Sequence, residues 1–343
     1  MRVVFVGAGA SKAFGYPLTG EILPEIRSRL KDSESLFGSG TAKAGDAKRL
    51  QFCLTQIMPG FRDESLELPL ITDVLSLIDH SLVHSQAPGI GLTRDKLTEF
   101  RVLLERAMLH VIDSEEFYTP RQLETLRRFV RWASREEGTA VVSTNYDLSI
   151  EHVWFENYAS NRTIANDFDF GVRWRDPDTG VTYEHSREAK HSLYKLHGSV
   201  NWLRCDLCED LFVSPRNPLV DLPLVGRDSD FLRCYCGHAP LRPVLITPTL
   251  VRDVRDPNLL GVWQRAMERL READEWILAG YSLPPEDIAI RSLLIRAYQG
   301  RAKPPHITVV QMGEQSRARY RLFFPRCDYE SGGVEAFLNH QDR

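Results

Sequence analysis

The sequence predicts an α/β fold whose core is a doubly wound parallel sheet, and two observations lead to this prediction. Four short apolar runs lack the strict alternation of half-exposed strands, which is typical of strands buried on both faces: residues 3–6, 140–143, 276–279 and 307–310. Helical patterns lie between these runs, and strands that alternate with helices indicate a parallel sheet.

The remaining elements are assigned from local patterns. Apolar residues at helical spacing predict helices over residues 19–30, 97–112, 121–134 and 259–271. Two weaker strands are predicted over residues 192–196 and 244–247. Because residues 32–48 are rich in Ser, Gly, Lys and Asp, an exposed loop is predicted there.

The chain of 343 residues is interpreted as a single domain with two additions. More than a hundred residues separate the first two strong strands, and residues 20–135 are predicted to form a mostly helical insertion. Residues 199–243 are rich in Pro, Cys, Asp and Arg and poor in periodicity, which predicts a small module held by something other than a large core. The rest of the sheet domain is assigned to residues 136–198 and 244–315.

Composition and charge narrow the functional classes. A net charge of -4 and a pI of about 6.2 argue against direct nucleic-acid binding by a strongly basic surface. No apolar run approaches the roughly 18 to 20 residues of a membrane helix, and the first residues do not resemble a secretion signal. We therefore expect a cytoplasmic protein without a membrane segment, in which clustered cysteines indicate a metal rather than disulfides.

A glycine-containing turn follows the first strand directly. Its residues are Gly7, Ala8, Gly9, Ala10 and Ser11, and the segment after it is able to turn into a helix. Small residues here allow a backbone to approach a phosphate-bearing ligand closely. The alternative is a tight turn without a ligand, since the third glycine of the full dinucleotide-binding pattern is replaced by Lys12.

Polar residues follow three further predicted strands, in the segments 143–147, 195–199 and 280–283. Ligands of open α/β sheets bind at the carboxyl ends of strands. His197, followed by a glycine, is a candidate for proton transfer near neutral pH. The alternatives are a structural histidine at residue 197 and ordinary turn formation by Asn145 and Asp147.

The cysteines suggest a metal site in the 199–243 module. Cys205 and Cys208 form a C-x-x-C motif, and Cys234 and Cys236 form a second close pair. Four thiolates complete a tetrahedral zinc site without an open position, so the predicted role is structural. Two alternatives stay open, namely that His238 replaces one cysteine of the second pair, or that the thiols are free.

Taken in order, these motifs resemble the sirtuin family, and in particular its bacterial branch of NAD⁺ hydrolases associated with anti-phage defence. The resemblance extends from the first strand to about residue 312. It is most specific in the segments 195–202 and 280–287. It implies a Rossmann-like NAD⁺ site beside helical and zinc-binding modules.

The resemblance also implies roles for single residues. Asn145 and His197 are the implied catalytic residues, with His197 as general base and Asn145 facing the nicotinamide and its ribose. The turn at residues 7–11 is implied to hold the phosphates. The other implied NAD⁺-binding residues are Thr144, Asp147, Gly280, Tyr281 and Ser282.

Three departures separate this chain from protein-deacylating sirtuins. Their Pro-Asp-Phe-Arg segment is replaced by residues 17–20, Pro-Leu-Thr-Gly. Their Phe-Gly-Glu segment, which helps to hold the acyl-lysine peptide, is missing where residues 242–243 lead into residues 246–249. Their Gln-Asn pair is Thr144-Asn145 here. The NAD⁺ motifs thus persist while the peptide-holding motifs do not.

The expected function is therefore hydrolysis of NAD⁺ to nicotinamide and ADP-ribose in bacterial defence, with NAD⁺ as substrate and zinc as a structural metal. The alternatives are an NAD⁺-dependent protein-lysine deacylase and a non-catalytic module that senses NAD⁺ or ADP-ribose. The helical stretch over residues 20–135 is a candidate oligomer interface and suggests a homo-oligomer, whereas the resemblance implies a sensor partner such as an Argonaute-type protein or a HerA-type ATPase.

Overall fold

The computed structural model describes residues 1–343 apart from 32–35, 38–40, 87, 90, 113–118, 187, 220–232, 238, 240, 246–255, 286 and 343. The helices are α1 (Ala8–Ala13), α2 (Thr19–Arg29), α3 (Thr41–Ile57), α4 (Ile71–His84), α5 (Arg94–Ile112), α6 (Pro120–Ala133), α7 (Ser149–Trp154), α8 (Asn161–Asp167), α9 (Pro257–Glu272), α10 (Ile288–Gln299), α11 (Arg317–Phe323) and α12 (Gly333–Gln341). The strands are β1 (Arg2–Val6), β2 (Ala140–Ser143), β3 (Phe168–Asp169), β4 (Trp174–Arg175), β5 (Thr182–Tyr183), β6 (His191–Lys195), β7 (Gly198–Cys205), β8 (Leu211–Val213), β9 (Leu241–Leu245), β10 (Glu275–Ala279), β11 (His306–Val310) and β12 (Asp328–Glu330).

A seven-stranded parallel sheet forms the centre of the larger of two units, with the strand order β12-β11-β10-β1-β2-β6-β3. Every pairing in it is parallel. Apart from the added edge strand β3, this is the order of a doubly wound Rossmann-like sheet. The predicted fold class is confirmed, and each of the four apolar runs lies in one of its strands, namely β1, β2, β10 or β11.

Successive strands are added on opposite sides of β1, so the strand order reverses between β1 and β10. From β1 the sheet extends through β2 to β6, and on the other side it extends through β10 and β11 to β12. Such a reversal is the point at which open α/β sheets bind their ligands, outside the carboxyl ends of the strands. The turn after β1 therefore lies at the place where the fold most often carries a site.

Burial on both faces explains why apolar and polar residues do not alternate along the central strands. Val3, Val4 and Phe5 have no exposed surface, and all four residues of β2 are buried. Helices cover the sheet on its faces, so both sides of each strand need apolar side chains. The weaker strand predicted at residues 192–196 is confirmed as β6, which is inserted between β2 and β3.

A second sheet in the same unit has five strands in the order β5-β4-β8-β7-β9. Its longest strand is β7, which pairs antiparallel with both β8 and β9. Regular structure in the described part of residues 199–243 is thus more extensive than the sequence indicated. Strand β9 begins before the weak strand predicted at residues 244–247, and residues 246–247 lie outside the described residues.

The other unit is helical and contains α2, α3, α4 and α5. The loop predicted over residues 32–48 is wrong from residue 41 onward, because α3 begins at Thr41. Three alanines favour helix in residues 41–48, and Ala47 and Leu50 are buried. Buried apolar side chains on one face thus outweigh the Ser- and Gly-rich composition.

Helix α6 lies in the unit of the parallel sheet, where it packs against α7 and α12. Three elements near the C-terminus complete this unit, and no strand or helix was predicted for them: α11, β12 and α12. Among the helices of the described residues, none has the length and apolar composition of a membrane span.

Candidate functional site

The predicted site residues meet because four strands end at one edge of the sheet. Val6 of β1 is in register with Ser143 of β2 and with Ala279 of β10, and Ser143 is in register with Lys195 of β6. The segments that follow these strands must therefore lie side by side. They are the four segments in which the sequence predicted ligand-binding or catalytic residues.

The glycine turn packs directly against the segment that follows β10. The amide of Gly9 donates to the backbone oxygen of Gly280 at 2.8 Å, and that of Gly7 donates to Ala279 at 2.9 Å. A Cβ atom on Gly7 or Gly9 would lie 2.8 Å from the Gly280 oxygen. The two glycines are thus required by the contact between the start of α1 and the segment after β10, a reason that the sequence did not reveal.

Gly280 itself is required by its conformation and by its neighbour. Its φ of 64° is left-handed, and a Cβ atom there would lie 1.8 Å from the amide nitrogen of Ala10. Beyond it, the hydroxyl of Tyr281 donates to Asp287 at 2.9 Å. The backbone oxygen of Tyr281 accepts from the buried hydroxyl of Tyr320 on α11, a supporting residue that no sequence motif indicated.

A buried line of hydrogen bonds joins the glycine turn to the segment after β2. The side-chain amide of Asn145 donates to the hydroxyl of Ser11 at 2.7 Å, and that hydroxyl donates to Asp147, also at 2.7 Å. The second carboxylate oxygen of Asp147 accepts from the hydroxyl and the amide of Ser149. All three members of the line are at most 8% exposed, and their hydrogen bonds to one another fix their orientation.

His197 is buried beside this line, at the turn between β6 and β7. Its Nδ1 lies 3.0 Å from the backbone oxygen of Thr144. Because a carbonyl oxygen only accepts, Nδ1 carries a proton in this contact, and in the neutral ring Nε2 then holds the lone pair. This is the tautomer required if Nε2 is to act as a base.

Further bonds hold the segment after β6 against the segment after β2. The hydroxyl of Ser199 donates to the backbone oxygen of Tyr146 at 3.2 Å, and the amide of Val200 donates to the same oxygen at 3.1 Å. Thr144 is held in turn through its amide, which donates to Val6 at 3.0 Å. The predicted residues of β1, β2 and β6 thus form one connected group.

Two aromatic rings lie near the imidazole of His197. The ring of Tyr146 is 6.1 Å from it between centroids, and the ring of Trp263, on α9, is 6.5 Å from it. The indole nitrogen of Trp263 donates to the backbone oxygen of Leu196 at 2.7 Å. Trp263 lies in a predicted helix, but its place beside the site follows from the packing of α9 and from no local pattern.

The four cysteines of the 199–243 module form a cluster. All their sulfur atoms lie within 4.8 Å of one another, with Cys205 3.6 Å from Cys236 and Cys208 3.4 Å from Cys234. Tetrahedral zinc with thiolate bonds of about 2.3 Å separates its sulfur ligands by about 3.8 Å. The cluster therefore fits zinc with Cys236 as fourth ligand, while His238 lies outside the described residues.

The four thiols of the cluster differ in pKa. Although burial raises the pKa of Cys205, hydrogen bonds from the amides of Cys208 and Leu207 and from the neighbouring thiols lower it to about 7. Burial raises the pKa of Cys208 and that of Cys234. Although the hydrogen bond with Cys234 lowers it in part, the pKa of Cys236 is raised by burial and by the neighbouring thiols.

The apolar packing at the cluster is small, with Leu203, Phe212 and Leu241 as its main members besides Cys205 and Cys234. A core of this size gains stability from a structural metal.

A separate cleft of about 450 Å³ lies at the opposite edge of the sheet, where β10 and β11 begin. Tyr298 and Phe324 contribute aromatic surface to it, and Arg301, Lys303 and Arg326 contribute positive charge. None of the predicted site residues lines this cleft.

No protein family model and no curated protein matches the chain. Among solved structures, the chain is similar to a complex of Sir2 with p53 peptide and NAD⁺, at 14% identity and a TM-score of 0.44, over 99% of this chain and 91% of that chain. It is also similar to a mutant Sir2 homologue in complex with 2′-O-acetyl ADP-ribose, at 15% identity and a TM-score of 0.43, over 99% and 90%. A third is Sir2 bound to acetylated peptide, at 12% identity and a TM-score of 0.39, over 99% and 91%.

Proposed function

We propose that this protein is an NAD⁺ hydrolase of the sirtuin-like family that cleaves the bond between nicotinamide and ribose. The observation that carries the proposal is the buried line Asn145–Ser11–Asp147 beside a histidine held in the Nδ1-protonated tautomer. In this proposal His197 is the general base, and the fixed polar groups beside it lie at the strand ends where such sheets bind nucleotides.

The proposed reaction needs little beyond positioning and one proton transfer. Nicotinamide leaves ribose C1′ with the bonding electrons, and the oxygen of water forms the new bond to C1′. Nε2 of His197 accepts the proton released from the water, either directly or through a ribose hydroxyl that takes up the proton of the water. Asn145 orients the ribose or the water, and fixed dipoles in a buried site stabilise the developing positive charge of the sugar.

The proposed binding mode places the pyrophosphate over the turn of residues 7–11. Gly7, Gly9 and Ala10 already donate their amides within the protein, so in this proposal the turn contributes mainly its small side chains and close backbone. Asp147 and Thr144 face the nicotinamide ribose, and Gly280, Tyr281 and Ser282 face the adenosine. Zinc, held by the four clustered cysteines, supports the module and takes no part in the reaction.

Water is the proposed acceptor of the ADP-ribosyl group. The reason is that the segments that hold acyl-lysine peptides in deacylating sirtuins have no counterpart in residues 17–20 and 242–243. We further propose a cytoplasmic role in anti-phage defence, with activity controlled by self-assembly or by a sensor partner. The motif resemblance supports these last points, and they can be tested separately from the chemistry.

The test is to incubate purified protein with NAD⁺ and to measure nicotinamide and ADP-ribose, with and without an acetyl-lysine peptide. We expect both products in equal amounts without peptide, and their loss in Asn145→Ala. The matched control is Asn339→Ala, which removes the same amide from the exposed surface of α12.

Two results would replace the proposal. Release of nicotinamide only with peptide, together with an acylated ADP-ribose, identifies a deacylase. Tight binding of ADP-ribose without turnover, in the isolated protein and in its assemblies, identifies a sensing module.

A further inference from the structure

Behind the candidate site lies a buried ion pair that the proposed chemistry does not use. Nζ of Lys195, the last residue of β6, is 3.0 Å from Oε1 of Glu151 on α7. The two side chains are only 3% and 4% exposed. Removing two charges from water costs several kcal/mol for each ion, and an apolar pair of similar volume often serves stability equally well. Stability alone therefore gives a weak reason for a charged pair here.

The same ammonium group has a second partner. Nζ of Lys195 also donates to the backbone oxygen of Asp147. Asp147 is the residue whose carboxylate anchors Ser11, and Ser11 in turn orients the amide of Asn145. Glu151 holds the ammonium in place, and the ammonium holds the backbone from which this line of hydrogen bonds begins.

Lys195 and His197 thus fix the same segment at two points. His197 contacts the backbone oxygen of Thr144, and Lys195 contacts that of Asp147. Both come from the end of one strand, two residues apart. Any displacement of the segment between these two points changes the distance from Asn145 to His197.

We propose that Lys195 and Glu151 are a positioning pair that sets the geometry of Asn145 and Asp147 relative to His197. The ammonium supplies a strong charge-assisted bond to a backbone oxygen, and the carboxylate compensates its charge. Neither residue is assigned a contact with substrate. This inference rests on the proposed function, since its consequence is measured in NAD⁺ cleavage.

The test separates positioning from stability with the double variant Lys195→Met/Glu151→Leu. This variant replaces both charges with apolar side chains of similar volume, so folding should be retained, but it removes the bond to Asp147. We expect an unfolding midpoint close to that of the wild type. We expect kcat to fall about 10- to 100-fold with KM within about threefold, because a misplacement of about 1 Å costs that much in rate.

The control is Arg106→Met/Asp46→Leu, which removes a less deeply buried ion pair of the helical unit, 8% and 17% exposed, with a separation of 3.2 Å. Wild-type kcat and KM are expected for it. The conservative variant Lys195→Arg keeps donors for both oxygens, and it should retain more kcat than Lys195→Met at equal folded fraction.

Wild-type kcat and KM in the folded double variant would overturn the positioning role. If that variant fails to fold, equal kcat per folded molecule in Lys195→Arg and Lys195→Met would overturn it instead. Failure of the proposed function gives a different result, because the wild-type protein itself would then release no nicotinamide from NAD⁺ in the absence of peptide.

Discussion

Nδ1 of His197 lies 3.0 Å from the backbone oxygen of Thr144, and this one distance determines how the imidazole can act. The contact fixes the proton on Nδ1 and leaves Nε2 as the basic atom of the neutral ring. It also couples the histidine to the segment that carries Asn145. A substitution at residue 197 can therefore affect both proton transfer and the position of its neighbour, and the two effects have to be separated.

The variants His197→Ala and His197→Asn separate these effects. The asparagine amide can still donate to the Thr144 oxygen, but it offers no base in place of Nε2. We expect both variants to lose NAD⁺ cleavage by about 10²- to 10⁴-fold, the usual contribution of a general base. Thermal unfolding should change less in His197→Asn than in His197→Ala.

The control is His306→Ala, because His306 begins β11 at the opposite edge of the sheet and its side chain is 61% exposed. Full activity in His197→Asn would show that the histidine only positions its neighbours.

Gly280→Ala tests whether the start of α1 and the segment after β10 must be in contact. The added methyl group would lie 1.8 Å from the amide nitrogen of Ala10, so either the glycine turn or the segment after β10 has to move. Gly138→Ala is the matched control, because Gly138 has a φ of 82° but open space around its Cα. The control carries only the conformational cost, about 1–2 kcal/mol.

We expect Gly280→Ala to lower the free energy of unfolding in urea by more than this conformational cost. We also expect it to weaken the binding of ADP-ribose, measured by calorimetry. Equal unfolding free energies for Gly280→Ala and Gly138→Ala would mean that the contact between Gly280 and Ala10 does not constrain the fold.

The cysteine cluster predicts about one zinc ion per chain, measured by elemental analysis of the purified protein. Cys208→Ser should lose the metal and lower the melting temperature by about 5 °C or more, as expected for a loss of about 2 kcal/mol in a domain of this size. Cys53→Ser is the control, since Cys53 is buried in α3, outside the cluster.

His238→Ala decides the remaining ligand question. Retention of zinc in this variant, together with its loss in Cys236→Ser, assigns the fourth position to Cys236. Zinc loss in His238→Ala would assign it to the histidine.

The central sheet was predictable because its strands are buried on both faces, and burial of this kind leaves an unbroken apolar run such as residues 3–6. The second sheet was not, because β4 and β5 have only two residues each, and β4 joins the sheet through β8, which lies far along the chain. The helix that begins at Thr41 was not predicted, because the Ser- and Gly-rich composition of residues 32–48 obscured its three alanines, and the burial of Ala47 and Leu50 comes from long-range packing.

The site was predictable as a set of strand ends but not as a set of contacts. Register alone explains why Gly7, Thr144 and Gly280 lie at one edge of the sheet. The residues that hold the neighbouring segments were not visible, because Trp263 and Tyr320, which donate to Leu196 and Tyr281, reach the site from helices far away in sequence. Long-range packing places such residues, and no local spacing records it.

A last prediction concerns the pH dependence of stability. Burial lowers the pKa of His191 below its ordinary value of 6.5, although Asp167 and Glu137 raise it in part. The folded protein therefore binds fewer protons at this residue than the unfolded chain does. Above pH 6.5 the ring is neutral in both states, so its titration does not reduce the free energy of unfolding. As the pH falls through that value, the free energy of unfolding declines, because the unfolded chain binds the proton more readily than the folded protein does.

His191→Phe should remove this dependence while keeping the aromatic packing, since the ring lies 5.4 Å from both Trp154 and Phe168. Urea unfolding of both proteins from about pH 7.5 to about pH 5 measures the effect. The variant should gain stability relative to the wild type as the pH falls, and titration of carboxylates cancels because both proteins share it. Parallel curves over this range would mean that His191 titrates equally in both states, and that its burial beside β3 does not disfavour the charged ring.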